Sequence, residues 1–251
     1  MDKKTSASKI REVNPTRDRA QVRKLYGISI GGTTGQRISK SFLSFLSVEL
    51  GATYTQQSLV SSIQSLGDSI LQGFWGSKSD QHGRKRYLIL GYVAFMLGSL
   101  FFTLLWDIYL FLVVLCIETL IASAIIPAWN GLLGDTAPEL ERGEFVGKIG
   151  SIGSLVSVAG VILTGTLLDR QRKSGPAQYH LAFYLAVICF LGVVVLLLTL
   201  NEPFKSNDDR MINDKPHFRK ILKENHAFRR LLLVNTLFHF GMMAPSSRFH
   251  L

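Results

Sequence analysis

Four apolar runs, each of about 20 residues or more, constrain this chain more than any other feature: Tyr87 to Trp106, Ile108 to Leu133, Ile149 to Leu168 and Leu181 to Leu200. Three of them contain no Asp, Glu, Lys or Arg, and the second contains only Glu118. A helix of that length rises through a hydrocarbon core of about 30 Å, so each run is expected to cross a bilayer. The mean hydropathy of +0.23 is modest because polar arms over 1–24 and 201–230 dilute an oily middle.

Two further spans are expected upstream. Gln57 to Trp75 is rich in Ser and Gln, but its apolar residues and its place ahead of a basic segment mark a helix facing a protein interior. Leu25 to Leu50 has the right length, yet it holds Arg37 and Lys40 near its middle and glycines at 27, 31, 32 and 35. The expected fold is therefore all-α, an integral membrane bundle of six helices. A cytoplasmic arm occupies 1–24, the transmembrane domain 25–200, and a cytoplasmic linker 201–230. The linker is expected to hold a short amphipathic helix near Phe218 to His226 that lies against membrane lipid. Residues 231–251 begin a seventh helix that Pro245 and Arg248 interrupt.

The basic residues set the orientation. Of 28 Lys and Arg, 22 fall in segments that lie on one side if the N-terminus is cytoplasmic, the others being Arg37, Lys40, Arg170, Arg172, Lys173 and Arg248. That bias is the positive-inside pattern of a multi-pass plasma-membrane protein. It also accounts for the net charge of +10 without nucleic acid, whose binding is not expected. Cys116 and Cys189 lie inside apolar runs and suggest neither a disulfide framework nor a metal site. The first two dozen residues are polar, so the first span is expected to direct insertion itself.

Between the second and third spans lies Gly76-Ser-Lys-Ser-Asp80-Gln-His-Gly83-Arg84-Lys85-Arg86, read as a loop. Glycines 76 and 83 permit a tight turn and a close backbone approach. Asp80 can accept hydrogen bonds from the N-terminus of another helix. Arg84 can pair with Asp135, forming a latch present in one conformation and broken in another. The alternative is that Arg84, Lys85 and Arg86 act as topology determinants at the membrane surface. This loop resembles the G-x-L-[AS]-D-R-x-G-R-[RK]-[RK] segment of the major facilitator superfamily. Gly76, Ser79, Asp80, Gly83, Arg84, Lys85 and Arg86 match it, whereas Lys78 and Gln81 depart from it. The stretch Pro127-Ala-Trp-Asn-Gly-Leu-Leu-Gly-Asp135, followed by Glu141-Arg142-Gly143, resembles the acid and Arg-Gly after that family's fourth helix. The resemblance implies two pseudosymmetric three-helix repeats, a latch including Asp135 and Arg142, and an Asp80 that meets a helix of the second half. Span five lacks the proline-containing glycine motif of the family's drug–proton antiporters, and span four lacks their arginine, so drug–proton exchange is not expected.

Charges inside spans are costly and mark function by default. Asp68 has Gln64 and Gln72 one turn to either side, a polar stripe suited to an aqueous cavity; pairing of Asp68 with Arg37 or Lys40 is the alternative. Glu118 either is protonated or reaches a cation. Arg37 and Lys40 share a face with Ser44, a basic strip able to attract an anionic substrate, and each costs about 2.5 to 3.5 kcal/mol on an insertion scale. Gly147, Gly150, Gly153 and Gly160, with Ser151, Ser154 and Ser157, suit close helix packing.

There is no phosphate-binding glycine loop, no His-Glu-x-x-His and no metal-spaced cysteine pair, so no catalytic site, cofactor or metal is expected and the chain is not expected to be an enzyme. The function expected is a permease moving a small solute by alternating access, with or without a coupling ion. Two six-helix halves need about 400 residues. The sequence is accordingly expected to be a truncated half, or one that pairs with a second copy. The competing reading is a membrane domain that does not transport and serves as an interaction partner.

Overall fold

A computed structural model describes residues 15–137, 141–171 and 175–200, together with 229, 230, 233 and 234; the side chains of 15–19 and 66–70 lie outside this description. Among these residues the chain forms α1 (Pro15–Glu49), α2 (Tyr54–Ile70), α3 (Gln72–His82), α4 (Arg84–Phe102), α5 (Ile108–Ala122), α6 (Ile125–Thr136), α7 (Arg142–Gln171) and α8 (His180–Thr199), the last preceded by a 3₁₀ turn at Pro176–Tyr179. The fold is an all-α membrane bundle. Four stretches are long and apolar enough to cross a membrane by length and composition: Arg84–Phe102, Ile108–Thr136, Arg142–Gln171 and Pro176–Thr199. The two more polar expected spans are helical as well, as α1 and as α2 with α3.

Several boundaries differ from those expected. The arm assigned to 1–24 is helical from Pro15, because α1 runs unbroken for 35 residues. The segment 76–86, expected as a loop, is helical up to His82 and again from Arg84. Gly83 alone makes the turn, at φ 95°, where a residue with a Cβ would be strained. Gly76 lies inside α3, and a Cβ there would meet Pro127 at an ordinary 3.5 Å, so it serves no turn. The linker helix expected near 218–226 and most of the seventh helix lie outside the described residues.

Span four divides at Ser123 and Ala124. Pro127 has no N–H to offer the Ser123 carbonyl and its ring crowds that group, which breaks the helix one turn upstream. The Ala124 amide turns instead to the Ile121 carbonyl (3.2 Å), leaving the Leu120 carbonyl without its usual partner. Two side chains replace it: Ser123 Oγ donates to Leu120 O at 2.9 Å and Trp75 Nε1 at 3.1 Å. Two helix starts are capped by side chains as their sequences suggest. Asp107 accepts from the amides of Tyr109 and Leu110 at the head of α5, and Thr53 with Gln56 forms a capping box on α2.

The main pairings are α1 with α7 and α8, α4 with α8, α4 with α5 and α6, α2 with α5, and α3 with α6. Counted as spans, one packs on five and six, four packs on two and three, and three packs on six. Exchanging spans one to three for four to six maps this set onto itself, as two three-helix repeats require. Two apolar clusters fill the interior. One gathers Leu25, Ile28, Tyr92, Ile149 and Phe190; the other gathers Leu46, Phe102, Phe111 and Phe183. Phe102 lies 5.1 Å from Phe111 and 5.8 Å from Phe183 between ring centroids.

Close packing of α1 on α7 depends on small residues. Ser29 Oγ donates to Ile149 O (3.2 Å) and Thr33 Oγ1 to Gly153 O (3.0 Å). A Cβ on Gly153 would stand 2.6 Å from Ser29 Oγ and 3.3 Å from its carbonyl, and one on Gly160 2.7 Å from Thr34. Gly147 and Gly150 have nothing within 4 Å of such a Cβ, so only part of the glycine series packs within the described residues. Gly153→Ala is expected to destabilise the bundle by about 1–3 kcal/mol through overpacking, seen as a lower Tm in detergent, whereas Gly150→Ala leaves Tm unchanged or slightly raised; equal effects would contradict this packing.

Candidate functional site

The charged end of the bundle is built around Arg84, the first residue after the Gly83 turn. Its Nη2 donates to Asp80 Oδ1 at 3.1 Å and its Nη1 lies 2.5 Å from Asp135 Oδ2. One guanidinium thus ties α3 to α6 from the head of α4. Ser79, buried beside it, returns its hydroxyl to the Gly76 carbonyl at 2.9 Å. Gly131 makes the passage: a Cβ there would fall 2.5 Å from Arg84 Nε and 2.6 Å from Cζ. The Arg84–Asp135 pair expected from sequence is therefore present, and Asp80 joins it. Arg142 is not brought to this cluster. It sits exposed at the head of α7, where the neighbouring ion pair is Lys148 with Glu144 at 2.5 Å.

Lys85 does something else. Its Nζ donates to the carbonyls of Leu198 (2.9 Å) and Leu200 (2.8 Å), while Lys24 Nζ donates to Thr199 O at 2.6 Å. The last carbonyls of a helix lack partners of their own and carry the negative end of its dipole, so two ammonium groups cap α8 from α1 and α4. In the sequence Lys85 stands out only as part of the 76–86 loop and its basic triplet, and Lys24 only as one basic residue of the N-terminal arm. The pairing spans more than a hundred residues, and nothing local signals it. Arg86 is exposed.

The interior polar residues form a layer between the two apolar clusters. Ser39 and Ser99 share a hydrogen bond at 3.3 Å. Beside them, Glu118 is 5% exposed and its Oε2 has no hydrogen-bond partner among the described residues. Its carboxyl packs on the backbone of α4, where a Cβ on Gly98 would come within 2.5 Å of Oε2. Ser39, Lys40, Gln64, Ser123 and Glu118 line a small cavity of about 20 Å³, room for a single water. Lys40 is thus the cation that shares Glu118's surroundings. It also lines a second, open cavity of about 300 Å³ with Thr33, Gln36, Arg37 and Ser41. Gln72 is half-buried at the start of α3. Asp68 belongs to α2, but its side chain lies outside the description, and with it the expected Asp68–Arg37 or Asp68–Lys40 pairing.

Comparison with known proteins gives this geometry its family. The Major Facilitator Superfamily model matches residues 25–250. The chain belongs to that superfamily. It is 26% identical to the uncharacterized MFS-type transporter Rv1877 of Mycobacterium tuberculosis strain H37Rv, over 70% of this chain and 24% of that protein. It is 26% identical to Multidrug resistance protein 3 of Bacillus subtilis strain 168, over 45% of this chain and 21% of that protein. It is 28% identical to the glycine betaine/proline/ectoine/pipecolic acid transporter OusA of Dickeya dadantii, over 73% of this chain and 37% of that protein. The chain thus spans well under half the length of each relative. As a superfamily member it is a membrane protein of a transporter family.

Because Gly131 exists to admit Arg84, Gly131→Ala and Arg84→Ala are expected to be strongly non-additive. Gly131→Ala alone lowers Tm, and in an Arg84→Ala background it costs about 1 kcal/mol less, since the clash has gone. Gly134→Ala, with open space at its Cβ, serves as the control. Additive losses would mean that Gly131 does not hold the guanidinium in place.

Proposed function

We propose that this bundle is one half of a secondary transporter that moves a small solute by alternating access, with its N-terminus and charged end on the cytoplasmic side of the plasma membrane. A second six-helix half, or a second copy of the chain, completes the pathway, and an ion or solute gradient drives it. The observation that carries this reading is the Arg84 cluster. Asp80, 61% exposed at its side chain, stands at the end of α3 with one carboxylate oxygen bound to Arg84, and its other oxygen is available to the N–H groups of a docking helix. Arg84 and Asp135 then set which arrangement of α3, α4 and α6 that helix meets. The N-in orientation is supported by the position of Lys24, Lys85 and Arg84 at the α8 C-terminus and the Gly83 turn, since positive charge collects on the cytoplasmic side.

The relatives' names range from a glycine betaine/proline/ectoine/pipecolic acid transporter to a multidrug resistance protein, so the family leaves the substrate class open. Asp80→Ala is expected to lower uptake or efflux of a labelled solute panel by about tenfold or more at unchanged membrane abundance. Undiminished flux in that variant would remove the latch role. No flux of any solute above protein-free vesicles would contradict transport by this chain.

A further inference from the structure

We infer that the groove along α1 formed by Thr33, Gln36, Arg37, Lys40 and Ser41 is the solute-binding surface, and that the solute is an anion bearing a carboxylate or phosphate group. The inference rests on the transporter reading above and narrows it to a substrate class.

The groove has the volume of a small-ligand site, about 300 Å³. Among the described residues its lining holds two cations and no acid. Arg37 is exposed and makes no ion pair or hydrogen bond among the described residues. A planar guanidinium offers the paired N–H donors that a carboxylate or phosphate takes in bidentate fashion. The Gln36 amide and the Ser41 hydroxyl add neutral donors at the rim. The Thr33 hydroxyl is already committed to the carbonyls of Ser29 (2.7 Å) and Gly153 (3.0 Å), so it fixes the wall instead of binding. Lys40 also lines the smaller cavity that Glu118 lines. Glu118 therefore shares the smaller cavity with Lys40, while Arg37 lines only the open groove.

Depth decides between a solute and a lipid headgroup, which offer the same anionic chemistry. Lys24 marks one end of the bundle by capping the last turn of α8, and Glu49 marks the other by accepting from Gln178 at 3.1 Å. Arg37 lies 13 residues from the first and 12 from the second, about 20 Å and 18 Å along the helix. Neither end is within reach of a snorkelling side chain. A positive site midway across an apolar bundle is suited to a ligand travelling through it, not to one anchored at the surface.

The test uses the 251-residue chain purified in a neutral detergent, with citrate and inorganic phosphate as probes and chloride at equal ionic strength as the control. Thermal shift titrations are expected to give saturable stabilisation by one or both probes. Choline and sorbitol are expected to give none, nor is an anionic lipid such as phosphatidylglycerol expected to compete. Arg37→Gln weakens anion binding about tenfold or more, Arg37→Lys retains part of it, and Lys78→Gln on the surface of α3 leaves it intact. Should Arg37→Gln fail to fold, Ser41→Trp fills the groove from an exposed position without removing charge and carries the same test. Unchanged anion affinity in a folded Arg37→Gln or Ser41→Trp overturns the inference, as does stabilisation by choline alone or displacement of the probes by phosphatidylglycerol. Equilibrium binding needs no flux. Anion binding without transport would refute the transporter reading alone, and transport confined to cationic solutes would refute this inference alone.

Discussion

A charge or a backbone carbonyl taken out of water into an apolar bundle has to be answered inside the protein, and the rest of the structure follows from how this chain answers each one. At one end, Arg84 is shared between Asp80 and Asp135, and the last carbonyls of α8 are capped by Lys24 and Lys85. Along the middle of α1 and α5, Lys40 and Glu118 line one small cavity with Ser39 and Gln64. Between these levels α1 approaches α7 on Ser29, Thr33 and Gly153, with hydroxyls placed on carbonyls of the facing helix. Glycine supplies the clearance at each of these points: Gly98 under Glu118, Gly131 under Arg84, Gly153 under Ser29.

The same rule explains why two spans are broken and still stable. Span two breaks at Leu71 and span four at Ser123, and Trp75 joins the two breaks through its indole bond to the Leu120 carbonyl. On one side, α3 and α6 pack together and share Arg84; on the other, α2 packs on α5, bringing Gln64 and Glu118 to one cavity. Under the alternating access proposed here, the breaks are where α3 and α6 shift against α2 and α5, with the Leu120 carbonyl keeping its donors.

Much of this was legible in the sequence where the signal is local. Four long apolar runs marked four spans, Gly83 marked the turn, and Arg84 with Asp135 followed from charges placed at adjacent helix ends. Helix continuation through Gly76 to His82 was hidden, since a polar, glycine-bearing stretch reads as loop when its packing partner, Pro127, lies fifty residues on. The Lys24, Lys85 and Trp75 contacts were hidden for the same reason. Each serves a carbonyl that sequence pattern cannot identify as lacking a partner. Pro127 was the available sign of the span-four break, through the carbonyl it displaces at Ser123. Glycines in α7 looked alike in sequence, but only Gly153 and Gly160 meet α1.

Midway along α1, Arg37 and Ser41 are exposed beside an open groove in an otherwise apolar bundle, and under the proposal above this face meets water. That access to water is tested most directly by single-cysteine labelling along α1, in a Cys116→Ala, Cys189→Ala background, with a membrane-impermeant thiol reagent applied to reconstituted protein. Reaction is expected at positions 37, 41 and 44, and protection at Ile38, Leu43 and Leu46, which are buried. Protection at every one of these positions, or equal reaction at all of them, would contradict it.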